Sequence, residues 1–191
     1  MAGIDPTAMI EFGEDKMKRT SKALLMGVVF LGLSLGQAAG VGTGVVSVSP
    51  AAFQPKNYQI DTLKWHAYGN EFYFENGPDE EVWAYAPVSL PNWANVTGFT
   101  AVVTDNGSGV DDEIRVALVR CNILTGEFQT VAYVYTTGPS ASSARQTLSA
   151  TSISNAIVDN ATYAYYVGVQ FYMPRSYIKF HGAKITYWSV M

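Results

Sequence analysis

The sequence lacks the residues on which several classes of protein depend. It has one cysteine among 191 residues, so no disulfide can form within the chain. Charged residues make up only 15% and the net charge is -4, which leaves no basic stripe of the kind that binds nucleic acid or anionic membranes. There are two histidines and no HExxH, GxSxG, P-loop or GxGxxG pattern, so nothing marks a catalytic centre. We therefore expect neither an enzyme nor a nucleic-acid-binding protein.

The longest apolar run is too short to cross a bilayer. It covers residues 23–35, about 13 residues against the roughly 20 that a spanning helix needs. Three cations precede it in residues 18–22, and the small-x-small tripeptide Gly36-Gln37-Ala38 follows it. This order of a positive, an apolar and a small-residue region is typical of a secretory signal peptide. We therefore expect a secreted or cell-surface protein, with no membrane span left after cleavage.

These features predict four segments. Residues 1–16 are acidic and resemble nothing downstream, so we interpret them as an upstream extension that arises from an overcalled start codon or from added sequence. Residues 17–38 are the predicted signal peptide. Residues 39–57 form an extended N-terminal segment, and residues 58–191 form one β-sandwich domain because no break in composition divides them.

Beyond the signal peptide, apolar and polar residues alternate with a period of two. Aromatic residues make up 13% of the chain, and together with β-branched residues they favour half-buried strands. Residues 163–171 place aromatic and aliphatic side chains on one face, while residues 178–187 change phase at His181-Gly182, as a β-bulge does. No segment sustains a period of 3.6. The pattern predicts an all-β fold, a two-sheet antiparallel sandwich or jelly roll of about 8–9 strands.

The stretch from Val96 to Asn122 has two alternating flanks around a loop at residues 105–113, and we predict that the flanks pair as a hairpin. The loop concentrates carboxylates, which are the hard oxygen ligands that calcium takes. Its spacing departs from that of a helix-loop-helix calcium loop because Gly107 and Gly109 occupy alternate positions. The loop is therefore either solvated or a calcium site, the only cofactor the sequence suggests. The candidate ligands are Asp105, Asn106, Asp111, Asp112 and Glu113.

The segment that follows the signal peptide has two interpretations. Residues 41–49 alternate and are flanked by glycine and proline. They form either the first strand of their own sheet or a strand donated to the exposed sheet edge of a neighbouring subunit. On the second interpretation, the subunit interface contains Val41, Val45, Val46 and Val48.

Several sequence blocks carry a resemblance to known proteins. They are AYAPVSLP from residue 84, VTGFTAVVTDN, IRVALVRCNILTGEF, RQTLSATSISNAIVDNATYAYYVGV and FHGAKITY, which together span residues 84–187. Their order resembles that of a group of secreted bacterial β-sandwich proteins, which implies structural motifs and no catalytic residues. At the level of the fold, the pattern is also similar to tumour necrosis factor-like jelly rolls, which implies trimers or higher assemblies.

Two functions remain open. Export, the lack of catalytic motifs and strands apolar on both faces, as in residues 116–121, favour a structural subunit that self-assembles into an extracellular fibre, tube or surface layer, because such a strand needs two covers. The alternative is a monomeric carbohydrate-binding or adhesive module. Buried tryptophans would favour the first, and tryptophans aligned on an exposed face the second. The candidate sugar-stacking rings are Trp65, Trp83, Trp93, Tyr68 and Tyr135.

Overall fold

The computed structural model describes residues 41–56, 65–75, 81–109, 113–137, 142–173 and 175–190, which belong to one unit, Gln37–Met191. The predicted extension 1–16 and signal peptide 17–38 lie outside this part of the chain. Within it, no helix is long and apolar enough to span a membrane. A short 3-10 turn covers Pro50–Ala52, and the strands are β1 Val41–Val48, β2 Gln54–Pro55, β3 Trp65–Tyr68, β4 Glu71–Phe74, β5 Val82–Val88, β6 Asn95–Asp105, β7 Ile114–Asn122, β8 Phe128–Tyr135, β9 Ser142–Ala150, β10 Tyr163–Phe171 and β11 Ile178–Val190.

The strands form two antiparallel sheets, and the predicted two-sheet sandwich of the jelly-roll kind is confirmed. The six-stranded sheet has the order β3-β4-β11-β6-β9, and β1 also pairs with β11. The five-stranded sheet has the order β2-β5-β10-β7-β8. The described residues contain eleven strands rather than eight or nine, partly because β2 is only two residues long and is too short to show a period.

The core lies between the sheets and is rich in phenylalanine. The predicted inner row of β10 is buried, and Phe171 at its end carries aromatic contacts across to the other sheet. Its ring centroid lies 5.2 Å from that of Phe74 and 5.9 Å from that of Phe72. Burial of each such ring contributes about 1.5–3 kcal/mol. The fully buried phenylalanines are Phe53, Phe72, Phe74, Phe99, Phe171 and Phe180.

Strands β6 and β7 belong to different sheets, so the predicted hairpin over Val96–Asn122 is wrong. β6 lies between β11 and β9, whereas β7 lies between β10 and β8. Both strands bury an apolar face, with Ala101 and Val103 on β6 and Val116 and Leu118 on β7. These faces cover each other across the core, which two strands side by side in one sheet would not do. Alternation predicted the two strands and their inward faces correctly but not their partners.

Strand β1 pairs with β11 of its own chain along its whole length, from Val41 opposite Val190 to Val48 opposite Ala183. Val48 is buried and Val46 packs against the core. Val41 and Val45 are 69% and 57% exposed on the outer face. The structure therefore has the intramolecular first strand, and donation of this strand to a neighbour stays a prediction.

The predicted β-bulge at His181-Gly182 is confirmed by a register shift between β11 and β6. Before the bulge Ile178 and Phe180 face the core, and after it Ala183 and Ile185 do. Gly182 has φ 141, a conformation that is essentially restricted to glycine. The bulge therefore keeps both halves of a 13-residue strand directed at one core.

We expect Gly182→Ala to reduce the free energy of unfolding by about 1–3 kcal/mol, the cost of holding a non-glycine residue in a sparsely populated backbone region. The added Cβ would also lie 3.3 Å from the Val48 carbonyl oxygen. Urea unfolding followed by tryptophan fluorescence measures the change. Gly69→Ala is the matched control, because its Cβ would meet nothing within 4 Å and no positive φ opposes it. Equal unfolding midpoints for the two variants would contradict the requirement for glycine at the bulge.

Candidate functional site

The outer face of the five-stranded sheet carries two rows of side chains that begin and end with an aromatic ring. Cross-strand partners share a face, and the register gives the rows Trp83-Gln170-Arg115-Tyr135 and Tyr85-Gly168-Ala117-Tyr133. Each row crosses from β5 to β8, which is about 14 Å at the usual strand spacing. Tyr166 and Phe128 extend the same surface. We call this surface the aromatic face: Trp83, Tyr85, Phe128, Tyr133, Tyr135 and Tyr166.

Small residues in the two central strands give the rings room to lie flat. A Cβ placed on Gly168 would be 2.9 Å from Cε1 of Tyr85 and 3.5 Å from Cζ3 of Trp83, so these rings lie over the glycine. The Trp83 and Tyr85 rings stack with centroids 5.8 Å apart and planes 5° apart. Ala117 and Val119 are 8% and 7% exposed. The strand predicted to need covers on both faces is therefore buried on both, and rings of its own chain contribute to the outer cover.

Two exposed rings of the aromatic face form a stacked pair on the edge strand β8. Tyr133 and Tyr135 are 58% and 43% exposed, and their ring centroids lie 5.9 Å apart at an interplanar angle of 16°. Both residues also line a cleft of about 690 Å³ between β8 and β9. The far wall, residues 147–152 and Ser154, presents several serine and threonine side chains around Leu148. Exposed rings and hydroxyl groups therefore meet at the edge of the sandwich.

Polar groups at one end of the aromatic face are held in fixed positions. Nε of Arg115 donates to Oε1 of Glu113 at 2.8 Å, and this hydrogen bond raises the pKa of the guanidinium. The guanidinium carbon of Arg115 lies 5.6 Å from the Tyr135 ring centroid and 4.8 Å from that of Tyr172. The Arg115 side chain is thus oriented beside an exposed ring, as binding sites that combine rings with a few polar groups require.

Two further polar groups lie on the opposite edge, at β5. The indole Nε1 of Trp83 donates to the Glu81 carboxylate. Burial, followed by the nearby charge of Glu81, raises the pKa of Tyr85. The Tyr85 phenol therefore stays protonated and can act as a hydrogen-bond donor at neutral pH.

The structure brings together only part of the predicted set of sugar-stacking residues. Trp83 and Tyr135 lie on the aromatic face, whereas Tyr68 lies on β3 in the other sheet and Trp93 lies in the turn before β6. The side chain of Trp65 is outside the described part. Among the tryptophan side chains that are described, Trp83, Trp93 and Trp188, none is buried, but they lie on different surfaces. The alternating aromatic positions 83/85 and 133/135 were the signal for two missed residues, Tyr85 and Tyr133. Neither pair signals the other two missed residues, Phe128 and Tyr166.

The predicted calcium ligands are only partly within the described residues. Asp105 is buried at the end of β6, and its Oδ1 accepts a hydrogen bond from the Gly107 amide at 3.1 Å. Asn106 is exposed, and Glu113 is bound to Arg115, as described above. Asp111 and Asp112 lie outside. In the ranges that the structure covers, no group of three His, Cys, Asp or Glu side chains could hold a metal ion. The calcium site stays a prediction.

His181 occupies the outer face of the other, six-stranded sheet, and its hydrogen bonds fix its tautomer. Nδ1 lies 3.0 Å from the Asn70 carbonyl oxygen, which only accepts, so Nδ1 carries the proton. Nε2 of the neutral ring then accepts from the Thr104 hydroxyl at 2.8 Å. Burial lowers the pKa of His181 against the effect of the Asn70 hydrogen bond, and the charge of Arg145 lowers it further. His181 is therefore a strand histidine whose two ring nitrogens are both hydrogen-bonded.

The fold and the aromatic face define a jelly-roll β-sandwich with a ring-lined outer sheet. No family model matches the chain, and no curated protein matches it. Among solved structures it is similar to the xylan-binding module CBM15, with 14% identity, a TM-score of 0.49 and coverage of 76% of this chain and 97% of that one. It is also similar to the C-terminal CBM6 of LamC, a marine laminarinase from Zobellia galactanivorans, with 12% identity, a TM-score of 0.47 and coverage of 75% and 99%.

A third similar structure is the Eiger TNF from S. frugiperda, with 10% identity, a TM-score of 0.34 and coverage of 77% of this chain and 90% of that one. The predicted likeness to tumour necrosis factor-like jelly rolls is therefore weak. No family model supports the predicted likeness to secreted bacterial β-sandwich proteins. Identities this low carry no functional information for this chain, and the fold assignment stands on the strands described above.

The half-buried, neutral state of His181 predicts a pH-dependent stability. The unfolded chain takes up a proton on this residue near its ordinary pKa of 6.5, while the folded chain does so only at a lower pH. Between the two values the unfolded state binds more protons, so the free energy of unfolding falls as pH drops below about 6.5. His181→Gln, which cannot titrate, is expected to lose less thermal stability than the wild type between pH 7 and pH 5. An equal loss of thermal stability in the two proteins between pH 7 and pH 5 would contradict this role of His181.

Proposed function

We propose that the protein binds a neutral carbohydrate chain on the aromatic face. The observation that supports this most directly is the stacked, exposed pair Tyr133 and Tyr135, placed where the aromatic face meets the 690 Å³ cleft. The apolar face of a sugar ring packs against such a ring pair. The sugar hydroxyls meet the serine and threonine groups of the cleft and the guanidinium of Arg115. A cleft of this size and mixed lining is within the usual range for ligand sites.

The energetic argument is that exposed rings are costly unless something covers them. Phe128, Tyr133 and Tyr135 are 57%, 58% and 43% exposed, and contiguous apolar surface on a folded domain marks a binding site. The central strands already have an outer cover from Tyr85 and its neighbours. What remains open is a rim of Phe128 and two amphipathic tyrosine rings, which is a surface for a partly polar ligand rather than for a second hydrophobic sheet.

The proposal includes export and an extracellular location, which rest on the predicted signal peptide at residues 17–38. It assigns binding to this protein and no catalysis. The loop at residues 105–113, the predicted calcium site, plays no part in this proposal. The surface accommodates more than a single sugar, because the two rows of the aromatic face extend about 14 Å from β5 to β8.

Replacing the exposed pair, Tyr133→Ala with Tyr135→Ala, is expected to weaken binding to a soluble neutral plant or algal β-glycan at least about fivefold. Two ring-stacking contacts are lost, and each aromatic contact of this kind contributes about 0.5–1.5 kcal/mol. Affinity electrophoresis in gels that contain the glycan measures the dissociation constant.

Trp93→Ala is the control for this variant, because Trp93 is 69% exposed but lies in a turn away from the aromatic face. It should bind as the wild type does. Equal weakening by both changes, or wild-type binding by the double variant, would contradict the assignment of the aromatic face. Circular dichroism checks that each variant keeps its strands.

Self-association is a second candidate function, and strand β1 is the observation that favours it. Within the described part of the chain, β1 pairs with β11 alone, so its other edge is open. Its sequence, VGTGVVSV, has no charge and no proline, although natural edge strands usually carry one or the other to prevent pairing between chains. The exposed side chains of Val41 and Val45 would lie at such a contact.

Size-exclusion chromatography with light scattering tests this second function on the chain from residue 39 onward. Assembly through β1 predicts oligomers that Val45→Lys converts to monomers, because a lysine on an edge strand opposes pairing between chains. Ser47→Lys, also exposed on the same strand face but nearer the middle of the sheet, tests how far the contact extends. A wild-type monomer at high concentration would exclude the assembly and leave the carbohydrate proposal intact.

A further inference from the structure

The outer face of the six-stranded sheet contains a groove that the aromatic face does not use. It consists of two adjoining cavities of about 340 Å³ and 490 Å³, and His181 lines both. The first lies over the strand ends near Thr104 and Lys179, and the second over Thr100 and Lys184. His181 therefore lies at the junction of one elongated depression along β11, on the opposite side of the sandwich from the aromatic face.

The charges in this groove are mostly positive, although the whole chain has a net charge of -4. Lys179 binds Glu71 at 3.1 Å and lies 4.8 Å from the Tyr73 ring centroid, so its charge is compensated. Arg145 in the first cavity and Lys184 in the second are exposed, and neither pairs with a carboxylate in the part of the chain that the structure covers. Two uncompensated cations at separate points of one concave surface attract an anionic ligand.

Neutral hydrogen-bonding groups surround both cations. The first cavity is lined by the hydroxyls of Thr104, Ser143 and Tyr177, and the second by those of Ser47, Thr100 and Thr147. His181 is neutral and already bonded to Asn70 and Thr104, so the junction adds no charge. Hydroxyl groups beside separate cations fit a ligand that carries both hydroxyls and acidic groups.

The floor of the groove is open because glycine lines it. Gly69 and Gly182 both lie in the second cavity, and a Cβ on Gly69 would meet no atom within 4 Å. Since no strained φ prevents substitution there, a large side chain at this position would occupy the cavity without disturbing the backbone.

We propose that this groove binds an acidic polysaccharide, with its carboxylate or sulfate groups at Arg145 and Lys184 and its hydroxyls at the serine and threonine side chains beside them. The site does not include the aromatic face and does not depend on the function proposed for that face, although Thr147 lines both this groove and the cleft beside the aromatic face. A protein with both surfaces would contact a neutral glycan on one side and an acidic glycan on the other.

Isothermal titration with polygalacturonate, dextran sulfate and uncharged dextran tests the proposal on the chain from residue 39 onward. We expect binding to at least one acidic polymer, none to dextran, and at least tenfold weaker binding for Arg145→Gln and for Gly69→Phe. Lys56→Gln is the matched control: it removes one exposed positive charge that lines neither cavity, and it should bind as the wild type does. The aromatic-face variant Tyr133→Ala with Tyr135→Ala should also retain acidic-polymer binding, so the two proposals fail independently.

Three results would overturn this inference. Equal weakening by Lys56→Gln and Arg145→Gln would show attraction to net charge alone. Inorganic sulfate that binds as tightly as dextran sulfate would show a small-anion site without a polysaccharide. Poly-glutamate that binds as tightly as polygalacturonate would show that the hydroxyls of the groove recognise no sugar.

Discussion

The fold depends on the burial of phenylalanine between the two sheets. Phe171 comes from the five-stranded sheet, and its ring meets those of Phe72 and Phe74 from the other sheet. Strand side chains alternate between faces, so fixing these rings in the core also fixes which residues face outward. On β5 the outward positions are those of Trp83 and Tyr85, and on β11 they are those of Lys179 and His181. The character of both outer surfaces thus follows from one core.

The two outer surfaces differ because their strands carry different side chains at the outward-facing positions, which alternate with the core positions. In the five-stranded sheet, small central residues such as Gly168 allow the rings of Trp83 and Tyr85 on β5 to lie across the neighbouring strand β10. In the six-stranded sheet, the corresponding positions hold threonine, lysine and histidine, and the bulge at Gly182 leaves a depression beside them. Rings that pack on a rigid sheet lose little further freedom on binding, which favours affinity.

Alternation in the sequence predicted the fold class, the inward face of β10 and the bulge in β11, because each depends on neighbours along the chain. It did not predict strand partners: the apolar flanks of residues 105–113 fit a hairpin as well as a crossing between sheets, and only the core distinguishes them. β9 was also hard to predict. Its polar sequence, SSARQTLSA, has the composition of a loop, and its burial pattern is weak since it lies at a sheet edge.

The candidate sites show the same limit. Trp83 and Tyr135 were predicted to stack on sugars from residue type alone, but Tyr85 and Tyr133 join them only through the register Tyr85-Gly168-Ala117-Tyr133, which links segments almost 50 residues apart. Arg145 and Lys184 are likewise distant in sequence and meet one groove because β9 and β11 both flank β6. The residues of a surface assembled from several strands are not neighbours in the sequence, so no local sequence pattern marks them. Residue type can nominate the members of such a site, and only the pairing of strands decides which of them act together.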